Sequence, residues 1–139
     1  MKKILLPLLA VIVLGLTGAA AVETQNKGPA PIKISHGAEV NLTDYLVPGK
    51  TTIFDFTSQY CPPCQAISPR LDQLHSKRED IVVVKIDINR ANVKHIDWQS
   101  PVAKQYKIQS IPQFKIYGPD GKLISEGKEA TAKVYSWVE

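Results

Sequence analysis

The chain has 139 residues, 44% hydrophobic and 22% charged, with a formal net charge of +4. That length suits one domain with a sizeable core, and the composition is that of an ordinary globular protein. Two of the positive charges, Lys2 and Lys3, sit in a leader, and no basic cluster interleaved with aromatics follows, so there is no electrostatic case for a nucleic-acid partner.

Met1 to Ala21 has the layout of a secretory signal. Lys2-Lys3 is basic, Ile4 to Leu16 is apolar, and Thr17 to Ala21 is a small-residue end with A-x-A spacing. Cleavage is expected after Ala21. The alternative is an uncleaved anchor, since Ile4 to Val22 carries no charge and is just long enough to span a bilayer. Either way the domain is expected in an exported, oxidising space: periplasmic or secreted, and membrane-anchored if the leader stays. A cysteine pair can be disulfide-bonded there. Residues 22–31, with Gly28, Pro29 and Pro31, read as a flexible tether. Residues 32–139 form the domain.

The domain opens with a short alternating strand, Ile32 to Ile34. Val40 to Leu46 holds enough apolar residues for one helical turn, ended by Pro48-Gly49. Thr51 to Thr57 is a strand of β-branched and aromatic residues, interrupted by one charge, Asp55. Cys64 to Lys77 is a helix, because Ile67, Leu71 and Leu74 recur on one face. Pro69 lies inside it and predicts a kink. Ile81 to Ile86 is an almost unbroken apolar run, the pattern of a strand covered on both faces.

Asn89 to Gln99 is irregular and polar, with Trp98 expected to pack locally. Ser100-Pro101 starts a short helix through Tyr106, with Ser at the N-cap and Pro in the first turn. Gln113 to Tyr117 and Lys122 to Glu126 are antiparallel strands around the Gly118-Pro119-Asp120-Gly121 turn. Ala130 to Val138 is a terminal helix. The expected class is α/β: a central mixed sheet with helices on both faces.

The two cysteines, Cys61 and Cys64, are the only ones in the chain. A strand feeding a Cys-x-x-Cys that opens a helix is a redox pattern. Backbone N–H groups and the helix dipole favour a thiolate at Cys61. Cys64, one turn on, can attack Cys61 and resolve a mixed disulfide. Pro62 and Pro63 stiffen the first turn but remove two N–H donors. The competing readings are a structural disulfide or half a zinc site. Zinc needs two more ligands, and only His36, His75 and His95 are available, none at paired spacing. His36 and His75 are expected as solvated surface groups.

Asp55, six residues before Cys61, should be buried, which raises a carboxyl pKa. It is then a candidate base for the Cys64 proton. Lys85, on the neighbouring strand, is a candidate neighbour for it. Pro112 after Ile111 is either an ordinary strand start or a cis-proline.

Taken together, Asp55-Phe56, Cys61-x-x-Cys64, Pro69, Lys85 and Ile111-Pro112 resemble the thioredoxin family, in its exported thiol–disulfide oxidoreductase branch. The resemblance spans Ile32 to Val138. It implies the thioredoxin fold, Cys61 as nucleophile, Cys64 as resolving thiol, and Asp55 and Lys85 as a buried pair tuning Cys64. It implies Pro112 in cis beside the disulfide and substrate contacts at Tyr60, Pro62, Pro63, Ile111 and Pro112. It also implies a monomer with no cofactor or metal, disulfide-containing exported proteins as substrates, and a membrane protein as electron donor. Four features depart from the family pattern: Tyr60 and Thr57 where Trp is usual, Pro62-Pro63 for Gly-Pro, a longer segment from Lys85 to Pro112, and a short terminal helix. With no His between the cysteines and no inserted helical domain, a reductant is the expected direction. The alternatives are a disulfide-donating oxidant and a non-catalytic binding module on the same fold.

Overall fold

β2, Thr51–Thr57, is the central strand of a five-stranded sheet ordered β1-β3-β2-β4-β5. The computed structural model describes residues 27–139; the expected leader and the first half of the tether lie outside the described residues. The strands are β1 (Ile32–Ile34), β2, β3 (Ile81–Asp87), β4 (Gln113–Tyr117) and β5 (Leu123–Glu126). The helices are α1 (Pro62–Lys77), α2 (Pro101–Gln105) and α3 (Gly127–Val138), with a single 3-10 turn at Leu42–Tyr45. β1, β3 and β2 run parallel, while β4 and β5 are antiparallel additions.

Two apolar layers hold the sheet. Phe54, Phe56, Val82, Val84 and Ile86 face α2 and the 3-10 turn, packed with Leu42, Val102 and Ile108. Ile53, Val83, Phe114 and Ile116 face α1 and α3, packed with Ile67, Leu71, Ala130 and Val134. Alternate residues of each strand serve opposite layers, as the pleat requires. Because both faces are covered, six of the seven β2 residues are buried, Asp55 among them. Removing one of these side chains, as in Leu71→Ala, leaves a cavity worth about 2–5 kcal/mol.

The expected element order is found. α1 starts at Pro62 and runs as one element through Pro69. α3 starts at Gly127, ahead of the expected Ala130. Ser100 caps α2, its side chain accepting the Ala103 N–H. Trp98 is 38% exposed. The segment docks through polar groups and a close approach at Gly37. There φ is +86°, and a Cβ would lie 2.7 Å from the Arg90 nitrogen.

His75 corrects the sequence reading. It is 2% exposed, not solvated. It follows Leu71 by one helical turn and so shares the buried face. β1 begins opposite Val84, which leaves the Val83 N–H without a strand partner on that side. His75 Nδ1 accepts it at 3.0 Å, and Nε2 lies 2.9 Å from the Gly28 carbonyl. These contacts fix a neutral imidazole with its proton on Nε2, donated to Gly28. Burial lowers the His75 pKa from 6.5. The stabilisation is therefore complete above 6.5 and is lost as pH falls through the lowered folded-state value. His75→Ala is expected to cost about 1–3 kcal/mol in urea unfolding near pH 8, with a smaller loss at about pH 5.

Candidate active site

β2 ends at Thr57, and Ser58-Gln59-Tyr60 bends the chain into α1. Cys61 is the N-cap of that helix, in extended backbone, with Pro62 and Pro63 in the first turn. Proline fits there because those N–H groups have no intrahelical acceptor. Cys61 and Cys64 are joined by a disulfide, S–S 2.06 Å, and the Cys64 N–H points at Cys61 Sγ, 3.2 Å away. That sulfur therefore occupies the position where a cap oxygen usually accepts, and a thiolate formed there gains the same N–H and the helix dipole. Cys61 is 2% exposed and Cys64 0%.

The Ile111-Pro112 bond is cis, and the Ile111 carbonyl oxygen lies 3.7 Å from Cys61 Sγ. Ile111 and Pro112 are half-buried, Tyr60 likewise, while Pro62 and Pro63 are exposed. Tyr60, Pro62 and Pro63 adjoin Cys61 along the chain, and Ile111 reaches its sulfur from the loop before β4. A groove of about 550 Å³ continues past Pro112, lined by Lys107, Ser110, Gln113, Gly127 and Lys128.

Asp55 lies on the α1 side of β2, 1% exposed, and its Oδ1 has no hydrogen-bond partner. Burial pushes its pKa up to about 7 from 3.8, against the opposing attraction of Lys85 and Lys33. Lys85 is its register neighbour on β3. The expectation of a closed Asp55–Lys85 pair needs correction, however. Lys85 Nζ donates to Asp72 Oδ1 at 2.5 Å and to Ser68 Oγ at 2.6 Å, both on α1. The stem of a lysine is long enough to carry its charge to a half-exposed partner, where water still helps solvate it.

One support of the site has no signature in the sequence. Ser58 Oγ donates to Asn89 Oδ1 at 2.6 Å and accepts the Tyr60 N–H at 3.1 Å, while Gln65 Nε2 donates to the Ser58 carbonyl. Asn89 Nδ2 in turn donates to the Val93 and His95 carbonyls. The Arg90–Asp97 ion pair, 2.7 Å, closes the same segment. The irregular 89–99 stretch is thereby tied to the bend that precedes Cys61. Asn after a strand usually means a turn, so its position after the β3 run does not point to this role.

Residues 37–139 match the thioredoxin family, and the chain belongs to it. Thioredoxin F2 of Arabidopsis thaliana chloroplasts is 35% identical over 77 residues, 55% of this chain and 37% of that protein. The thioredoxin of Geodia cydonium is 32% identical over 77 residues, covering 55% of this chain and 64% of that one. The matches therefore span between about a third and two thirds of these relatives' own length. Among solved structures, thioredoxin f2 in complex with ferredoxin:thioredoxin reductase aligns with TM-score 0.56 at 23% identity, covering 79% of this chain and 96% of that one. That likeness bears on the fold, which is the thioredoxin fold with its mixed five-stranded sheet.

The raised Asp55 pKa has a consequence for stability. The protonated carboxyl is favoured in the fold, so the Asp55 contribution to stability is greatest below 3.8 and is lost as pH rises through about 7. Asp55→Asn removes that penalty. It is expected to raise unfolding free energy by about 3 kcal/mol at about pH 8, with little gain near pH 4, measured by guanidinium titration.

Proposed function

We propose that this protein is a thiol–disulfide oxidoreductase that reduces disulfides in exported proteins through Cys61 and Cys64. The observation that carries the reading is the Cys61 sulfur, set at a helix N-terminus and against the Ile111 carbonyl, on a chain whose preceding strand buries the Asp55 carboxyl with its Oδ1 unpartnered.

In the reduced protein, the Cys61 thiolate attacks one sulfur of a substrate disulfide. A Cys61–substrate disulfide forms and the other substrate sulfur leaves as a thiolate, which takes a proton. Cys64 then loses its proton to Asp55 and attacks Cys61 Sγ. The Cys61–Cys64 disulfide forms, the second substrate thiol is released, and two electrons have passed to the substrate. An extended substrate segment lies beside Ile111 and Pro112, using the free backbone there, with Tyr60, Pro62 and Pro63 as the opposite rim. Thiolate attack needs the sulfurs in line, and pairing to a fixed backbone supplies that orientation.

Export rests on the leader-like residues 1–21. An exported reductant must be re-reduced from outside the cytosol, which calls for a membrane protein as electron donor. Thioredoxin f2, a protein of the same fold, is seen in complex with ferredoxin:thioredoxin reductase.

In an insulin-reduction assay, wild-type protein is expected to turn over. Cys64→Ser should stop turnover and accumulate a Cys61 mixed disulfide visible by mass spectrometry. Absence of thiol-dependent turnover in wild type sinks the enzyme reading in favour of a binding module. The reduction potential against glutathione decides direction: a strongly reducing value supports the reductant, and a value near the secretory oxidants reverses it. The rate of the resolving step is expected to fall as pH drops below about 7, where Asp55 gains its proton. Stopped-flow measurement across pH, with Asp55→Asn as the flattened control, checks this.

A further inference from the structure

Lys33, Lys85 and Asp55 stand level on three adjacent strands, on the sheet face that α1 covers. An ammonium in that row has two places to go. One is the buried Asp55 carboxyl, whose Oδ1 is unpartnered. The other is α1, where Ser68 and Asp72 sit one turn apart. The Lys85 ammonium takes the second, with Nζ 2.5 Å from Asp72 and 2.6 Å from Ser68. The Asp72 side chain is 50% exposed, so this pair avoids most of the desolvation that a pair with Asp55 would suffer.

We propose that Asp72 and Ser68 are positioning residues that hold the Lys85 ammonium out of contact with Asp55, leaving Asp55 a carboxyl without a bonded cation, able both to take and to return the Cys64 proton. The proposal rests on the reading that Asp55 serves Cys64. The chemical reason is one of balance. A carboxylate in contact with a cation stays ionised and becomes a poor base. A carboxyl that is buried with its cations held at a distance is left near its midpoint at neutral pH, burial outweighing the attraction of Lys85 and Lys33 here. The other charged groups facing Asp55 are Lys33 from β1 and Asp72 itself from α1. β4 presents Phe114 at its level, and α3 presents Ala130 and Val134. Lys85 is thus the cation whose side-chain direction decides the environment of the carboxyl.

The test is an NMR titration of the Asp55 carboxyl in the oxidised full-length protein, where neither cysteine titrates. Asp72→Asn should free Lys85 and move the Asp55 midpoint down by about one pH unit. Ser68→Ala, which changes no charge, should move it the same way by less. In a Lys85→Met background the Asp72→Asn shift should shrink to the smaller direct effect of removing the Asp72 charge. An unchanged midpoint in Asp72→Asn, or an equal downward shift with and without Lys85, overturns the proposal, the latter because it would arise without the lysine. The readout needs no turnover. Absence of insulin reduction in wild type, with the titration shifts present, would therefore sink the oxidoreductase reading and leave the positioning of Lys85 standing. In an active protein, the acid limb of the pH–rate profile should follow the Asp55 midpoint in Asp72→Asn.

Discussion

Everything at the site depends on β2 being covered on all sides. β3 and β4 pair with its two edges, and α1 with α3 and α2 with the 3-10 turn close its faces. A side chain there cannot reach water by sliding to an edge. Ile53, Phe54 and Phe56 benefit from this, each contributing on the order of 2 kcal/mol by burial. Asp55 does not. The same closure that stabilises the strand raises the energy of one carboxylate, and the strand then delivers the chain to Cys61 six residues later. Stability and chemistry are thus opposed within a seven-residue segment.

The disulfide itself is held by local rules. An N-cap side chain normally offers oxygen to a backbone N–H, and here a sulfur takes that position. Prolines in the first turn leave the Cys64 N–H as a donor aimed at the sulfur. The Ile111 carbonyl stands on the other side. A cysteine sulfur in this setting meets one donor from its own helix and one acceptor from a distant loop, so its environment differs sharply between the thiol, the thiolate and the disulfide.

Much of this was legible in the residues. β-Branched and aromatic residues located β2, turn residues located β4 and β5, and the apolar run located β3, because a strand buried on both faces has no polar side to show. The cysteine spacing, Pro69 and Ile111-Pro112 carried the family. What was not legible depended on side-chain direction. Register set Lys85 beside Asp55, yet its charge lies on α1, since a long stem can serve either partner. His75 looked like a helix-flank histidine. It is buried because β1 stops short of Val83 and leaves a backbone donor to satisfy. Asn89 gave no sign of its link to Ser58, since pairs 31 residues apart have no sequence pattern.

The His75–Gly28 contact has a geometric consequence. His75 stands 14 residues along α1 from Cys61, about 20 Å at the helical rise. Lys27, at the start of the described chain, also reaches the far end of that helix, donating to the Arg78 carbonyl. The described chain thus begins beside the end of α1 opposite the disulfide. A partner seated over the disulfide is thereby kept a helix length away from the described beginning of the chain.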